Sequence, residues 1–270
     1  MRVSIQKNYS REAISHFTGL RLPQSGDHFI IETDKVVTSL LESQLEVISL
    51  FLTEEYFNKK RALIEAHSQD AEAAVFLAPK NEMEQIVGFA LHQGIMAAAK
   101  IPRECSLDEI IHKSTKPVLL VILDEIADAE NMGAIYRTAL AMGASAILID
   151  NRSISPWIRR AVRVSMGAVF DLPTITVDSL LNAIEQIKNS NISVYATTIS
   201  ANAQSLWSVD LTKDVALIFG SEGYGIKDNV ISSADAEITF PMPVGIDSLN
   251  VAITEGVFLY EVARQRKINS

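Results

Sequence analysis

Three short blocks in the second half of the chain gather the residue types that do chemistry: Glu130-Asn-Met-Gly-Ala-Ile-Tyr-Arg137, Phe219-Gly-Ser-Glu-Gly-Tyr-Gly225 and Pro241-Met-Pro-Val-Gly-Ile-Asp-Ser-Leu-Asn-Val251. Each sets glycines, which let backbone approach a ligand closely, beside small polar side chains. Glu222, a carboxylate inside a glycine loop, can hold a hydroxyl or a cationic group. Gly220 to Gly225 does not spell G-x-G-x-x-G, and no G-x-x-x-x-G-K-[ST] occurs, which weakens dinucleotide and P-loop readings. By itself such a loop is also what a tight strand-to-helix turn requires.

Around these blocks, Asn131 reads as a helix cap and Ser248 as the N-cap of a final helix carrying Leu249, Ala252, Ile253, Leu259 and Ala263 at helical spacing. Asn250 is then left in the first turn, where its mediocre helix propensity asks for another reason. Arg137 follows Asn131 by six residues, about 600° around a helix, so the two do not share a narrow face. Taken singly, Arg137 is an ordinary surface arginine. Mid-helix Gly256 costs about 1 kcal/mol against alanine unless a close helix neighbour offsets it. His16, His28, His67, His92 and His112 show no metal-ligand spacing, so no metal is expected. Cys105, the one cysteine, reads as a small buried hydrophobe and fits a reducing compartment.

The elements that must position these residues follow from periodicity. His28 to Ile31 predicts a strand, followed by a helix through Val36, Val37, Leu40 and Leu41 that extends to Leu45 and Ile48. A helix over 54–66, a strand over 73–78 and a helix over 83–87 complete an N-terminal α/β unit, 1–112. Polar residues 106–117, closing on Lys116-Pro117, read as a linker. From 116 to 270, near-continuous apolar strands alternate with amphipathic helices: strands at 118–124, 145–150, 174–177, 192–198, 215–220 and 236–240, helices at 131–142, 157–165, 179–188 and from 248. Repeated βα units of this kind predict a mostly parallel sheet covered on both faces. Ligands settle outside the carboxyl ends of such strands, where all three blocks fall.

With 270 residues and 48% hydrophobic content, the chain can bury a core in each of two domains. No secretory signal and no long apolar span is seen, so a soluble cytoplasmic protein without a membrane partner is expected. A net charge of −9 argues against indiscriminate coating of nucleic acid. One stretch, 151–170, nevertheless carries Arg152, Arg159, Arg160 and Arg163 with no acid, a candidate contact for RNA phosphates as well as an ordinary solvated helix face.

Together and in this order, the blocks resemble the SpoU (TrmH-type) branch of the SPOUT RNA methyltransferases. Asn131 to Ala139 is similar to that family's first motif, Phe219 to Ile226 to its second, and Ser248 to Val251 with Leu259 to Glu261 to its third; Arg163, Ser165 and Gly167 resemble the segment between. Residues 1–112 are similar, more faintly, to an RNA-recognition domain related to a ribosomal-protein fold. The resemblance implies a deep trefoil knot in the C-terminal domain, a homodimer with its active site near the interface, and S-adenosylmethionine as cofactor. The implied reaction is methyl transfer to a ribose 2′-hydroxyl of structured RNA, ribosomal RNA ahead of transfer RNA, with an RNA-binding or assembly protein of weak activity as the alternative. It also implies that Gly220, Ser221, Gly223, Ile238, Met242, Ser248, Leu249 and Asn250 surround the cofactor, while Asn131, Arg137, Glu222, Ser248 and Asn250 form the catalytic set. Arg137 carries the largest expectation, as base or as anchor; a guanidinium that stays protonated is better suited to a phosphate or a developing oxyanion than to accepting a proton. The chain departs from the family pattern at Ala252-Ile-Thr-Glu-Gly256, where Glu255 enters a packing helix.

Overall fold

The structure, a computed structural model, describes residues 4–20, 26–67, 73–242 and 248–267. The chain divides into two compact units, Met1–Arg103 with Trp157–Phe170, and Glu104–Pro156 with Asp171–Ser270. Elements are numbered along the chain.

The N-terminal unit contains β1 (Ser4–Gln6), β2 (His28–Glu32), α1 (Asp34–Glu42), β3 (Val47–Leu52), α2 (Glu54–His67), β4 (Ala74–Leu77), α3 (Lys80–Val87) and β5 (Ile95–Lys100). Its sheet runs β1-β4-β3-β5-β2, with β4 parallel to β1 and β3, and β5 antiparallel to β3 and β2. Phe17, Ile30, Phe51, Phe76, Met83 and Met96 form part of one buried cluster. The helix expected to extend through Ile48 stops at Glu42, and Val47–Leu52 is instead the central strand, five of its six residues buried. The i, i+3 spacing of Leu45 and Ile48 imitated a helix, while the break at Ser43 and Gln44 marked its end.

The C-terminal unit contains α4 (Leu107–Lys113), β6 (Leu119–Asp124), α5 (Ala129–Ala141), β7 (Ala146–Asp150), β8 (Thr174–Val177), α8 (Leu180–Asn189), β9 (Ser193–Thr197), β10 (Gln204–Ser205), β11 (Val215–Gly220), α9 (Asp228–Ser233), β12 (Ala236–Thr239) and α10 (Val251–Arg266). Its seven strands run β10-β12-β9-β11-β6-β7-β8 and every pairing is parallel. All six residues of β6 are buried, as a strand covered on both faces requires.

The division between units falls after Arg103, not after residue 112. The stretch expected to be a linker forms α4, opened by a capping box in which Ser106 and Glu109 satisfy each other's backbone N–H groups, and Leu107, Ile110 and Ile111 join the C-terminal core. Conversely, α6 (Arg159–Ser165) and most of the short α7 (Ala168–Asp171) belong to the N-terminal unit, where Phe29 meets Trp157 and Phe170 at 4.8 and 5.8 Å. Cys105 is exposed rather than buried, since it precedes α4 in irregular chain.

Candidate active site

The loops after β9, β11 and β12, three adjacent strands, meet the start of α10 around a cleft of about 420 Å³. Thr197 to Ile199 form one wall, Gly220 to Glu222 with Tyr224 to Ile226 a second, and Phe240, Met242, Ser248, Leu249, Val251, Thr254 and Phe258 are among the residues that complete it. A neighbouring cleft of about 390 Å³ shares Ser221, Glu222, Tyr224 and Val251, and adds Glu125, Asp128, Asn131, Arg152 and Gly223. The first has apolar and aromatic faces suited to a flat ring. The second sets the charged and amide side chains of Glu125, Asp128, Asn131 and Arg152 beside apolar Ile126, Ala127 and Val251. Residues 243–247 of the third sequence block lie outside the described residues.

Asn250 joins the three blocks. Its side-chain oxygen accepts from the backbone N–H groups of Ala252 and Ile253 at 3.0 and 3.3 Å, so it, and not Ser248, caps α10. Its amide nitrogen donates to Asn131 Oδ1 at 2.8 Å and to Glu222 Oε1 at 2.5 Å. Asn131 in turn is not the cap of α5; Asp128 is, accepting from the backbone N–H of Glu130 and Asn131 at 2.9 Å each. With the capping carried by its neighbour, the buried Asn131 side chain is free to orient Asn250. This arrangement leaves Oε2 of the exposed Glu222 without a hydrogen bond among the described residues.

The glycine loop is held by its own backbone. Gly225 N–H donates to Ser221 O at 2.9 Å, and a Cβ on Gly220 would fall 2.1 Å from Gly225 C and 2.2 Å from Ile226 N. The constraint is therefore packing of strand end against loop. Gly220→Ala is expected to force the loop away and cost about 1–3 kcal/mol, read as a lower urea midpoint at unchanged slope. At the end of β6, buried Asp124 accepts from Lys227 N–H at 2.9 Å and from its Nζ at 3.1 Å, tying this loop to the strand beside it.

The other expected residues are distributed unevenly. Gly220, Ser221, Met242, Ser248 and Leu249 line the first cleft and Gly223 the second, whereas Ile238 stands inside β12 with its carbonyl accepting from Thr198 and lines neither. Arg137 is exposed on α5, lines neither cleft, and has no hydrogen bond or ion pair among the described residues. The arginine stretch is split. Arg152 lines the second cleft, paired with Glu125 at 2.6 Å and Asp150 at 3.1 Å, while Arg159, Arg160 and Arg163 belong to the N-terminal unit. Ser165 and Gly167 finish α6: Ser165 Oγ donates to Val162 O at 2.8 Å, and Gly167, at φ +91°, packs against Ser39. Tyr136 is fully buried and shares a 2.7 Å hydrogen bond with Thr174.

Glu255 and Gly256, expected on a packing helix, lie on the side of α10 turned from solvent. Glu255 is 0% exposed, neither carboxylate oxygen has a hydrogen-bond partner among the described residues, and burial pushes its pKa up to about 9. Gly256 faces Thr138 of α5 with room for a methyl group, a Cβ there lying 3.6 Å from Thr138 Cγ2. Opposite, Leu249, Ile253, Val257 and Tyr260 leave an exposed apolar stripe along the helix. Among the described residues, no group of three or more His, Cys, Asp or Glu side chains could hold a metal ion, and no helix is long and apolar enough to cross a membrane.

A parallel sheet with a ligand-sized cleft beyond three of its strands, joined to a smaller mixed-sheet unit, defines an α/β enzyme that binds a small molecule at the carboxyl edge of its sheet. Residues 118–260 match the SpoU rRNA Methylase family, and the chain belongs to it. Residues 35–105 match the family described as RNA 2′-O ribose methyltransferase substrate binding. A 23S rRNA (guanosine-2′-O-)-methyltransferase RlmB of Ralstonia nicotianae is 32% identical over 80% of this chain and 89% of its own. The RlmB of Xylella fastidiosa is 30% identical over 90% and 98%. Among solved structures, a putative RNA methyltransferase of the TrmH family from Porphyromonas gingivalis superposes with a TM-score of 0.80 at 25% identity, covering 96% of this chain and 99% of that one. An AdoMet-bound rRNA methyltransferase from Sinorhizobium meliloti shares the fold at TM-score 0.81 and 22% identity, over 99% of both chains.

Proposed function

We propose that this protein transfers a methyl group from S-adenosylmethionine to a ribose 2′-hydroxyl of ribosomal RNA in the cytoplasm. The observation that carries this reading is the Asn131–Asn250–Glu222 cluster, which joins the first, second and third family motifs at the edge of the cleft. The cleft fits the cofactor. Phe240, Phe258, Met242 and Leu249 offer apolar faces to a purine, and Gly220 and Ser221 bring backbone to the ends of the strands without side-chain bulk. When bound, the cofactor supplies an electrophilic methyl group.

This chain's residues have the remaining tasks of aligning a ribose hydroxyl and receiving its proton. Asn250, fixed by three partners, holds Glu222 Oε1, and the second carboxylate oxygen is placed to accept a hydrogen bond from the hydroxyl. Arg137 serves as an anchor for phosphate or developing oxyanion charge. Because it lines neither cleft of its own chain, we assign it to the site of a second copy in a homodimer. The stripe of Leu249, Ile253, Val257 and Tyr260 on α10, which packs against the helix bearing Arg137, is the surface such a copy would cover. The trefoil knot implied by the motifs belongs to the same reading.

The experiment is transfer of labelled methyl from S-adenosylmethionine to unmodified total RNA, with the label mapped. Ribose label in 23S rRNA, reduced about 10²-fold or more in Arg137→Ala, is expected. Label mapping to transfer RNA would redirect the substrate assignment, and absence of both label and cofactor binding would overturn the reading.

A further inference from the structure

We propose that the N-terminal unit carries a separate pocket for one unpaired purine of the RNA substrate, with Phe89 and Arg159 as its stacking surface and Glu32 and Gln93 as its polar edge. This rests on the reading that the protein acts on RNA. The cavity, about 220 Å³, lies among residues of this unit alone and shares none with the clefts described above.

Four features point to a base. The Arg159 guanidinium carbon lies 4.2 Å over the centroid of half-buried Phe89, so the guanidinium stacks on the ring and its outer plane extends that stack, a surface of the kind on which unstacked bases rest. Nη1 of Arg159 is buried without a hydrogen bond among the described residues, 3.9 Å from Glu32 Oε2 and too far to donate to it. Glu32 Oε1 is taken by Arg163 Nη1 at 2.8 Å, which fixes the carboxylate and leaves Oε2 as an acceptor. Gln93 Oε1 accepts the Asp34 backbone N–H at 2.6 Å, which fixes the amide and leaves its NH₂ group to donate.

Two donors and one acceptor, each immobilised by a different neighbour, match the side of an unpaired guanine, which carries the N7 and O6 acceptors beside the N1–H donor. A buried donor with no acceptor is costly in a protein standing alone, and a base supplies what it lacks. Phosphate is the poorer fit. Arg159 and Arg163 share Glu32, so half of their charge is already offset, and the aromatic wall would gain nothing from an anion. Thr33, which lines the same cavity, holds φ at +79°, a strained value for a β-branched residue of the kind that clusters at ligand sites.

The test compares the full-length protein with Phe89→Leu, which keeps apolar contact with the core but removes the ring, and Phe89→Trp, which restores a stacking face. An unmodified 23S rRNA transcript is the probe. Phe89→Leu is expected to raise the RNA Kd and the KM for RNA about tenfold, with kcat at saturating RNA, S-adenosylmethionine affinity and thermal midpoint close to the parent. Phe89→Trp is expected to recover the loss. RNA affinity within twofold of the parent in Phe89→Leu would overturn the pocket while leaving the methyltransferase reading intact, and an equal loss in Phe89→Leu and Phe89→Trp would reduce Phe89 to packing. A parent protein that neither binds nor methylates the transcript would remove both.

Discussion

Asn250→Asp is expected to abolish most methyl transfer while leaving the protein folded. Aspartate caps a helix as well as asparagine, and its oxygen can still accept the N–H groups of Ala252 and Ile253. A carboxylate at a helix N-terminus is also favoured by the helix dipole. What the substitution removes is the amide nitrogen that donates to Asn131 and Glu222. In its place a second negative oxygen faces Glu222, and the two repel. Glu222 must swing away, and with it the acceptor proposed for the ribose hydroxyl. Misplacement of a positioning group by about 1 Å costs on the order of 10²-fold, which is the loss anticipated in kcat/KM for RNA. Asn250→Ala gives the contrasting case, losing the cap as well and about 1 kcal/mol of stability. Activity within a few-fold of the parent in a folded Asn250→Asp protein would show that the cluster only caps the helix.

That cluster was only partly legible in the sequence. Asp247, Ser248 and Asn250 are all N-cap residue types, and helical periodicity does not choose among them; the choice of Asn250 follows from its bonds to residues 28 and 119 positions away. The parallel sheet was readable because a strand buried on both faces has no alternation to mistake, as β6 and β11 show. β5 was silent because Ile-Met-Ala-Ala-Ala-Lys has little β propensity, and its burial comes from pairing with β2 and β3. Ser106-x-x-Glu109 did announce α4, as a capping box that a linker reading overlooked. No local signal could assign Trp157–Phe170 to the N-terminal unit, since the pairing of Arg163 with Glu32 spans 131 residues.

Glu255→Gln should stabilise the protein strongly at neutral pH and hardly at all in acid. Burial raises the Glu255 pKa to about 9 from an ordinary 4.5, with no partner for either oxygen. Below pH 4.5 the carboxyl is protonated in folded and unfolded chains alike, so it contributes no pH dependence. Above that, the unfolded chain releases the proton and the folded one keeps it, so stability falls as pH rises, by about 1.4 kcal/mol per unit, until the folded group also ionises near pH 9. By pH 7 the loss amounts to about 3 kcal/mol, a large share of a typical domain's stability. Glutamine keeps the shape but carries no titrating proton, and its buried amide is equally unpaired at every pH, so it removes the slope without mending the missing hydrogen bonds. Urea unfolding at half-unit steps from pH 4.5 to 8.5 reads this directly: the curves for parent and variant should nearly meet at the acid end and diverge toward the alkaline end. Parallel curves would mean that Glu255 finds a cation or a hydrogen-bond donor in the folded protein. The helix that carries it also presents Val251, Thr254 and Phe258 to the cleft. Removing the buried titrating group from this helix should slow local opening of the cleft as well as global unfolding.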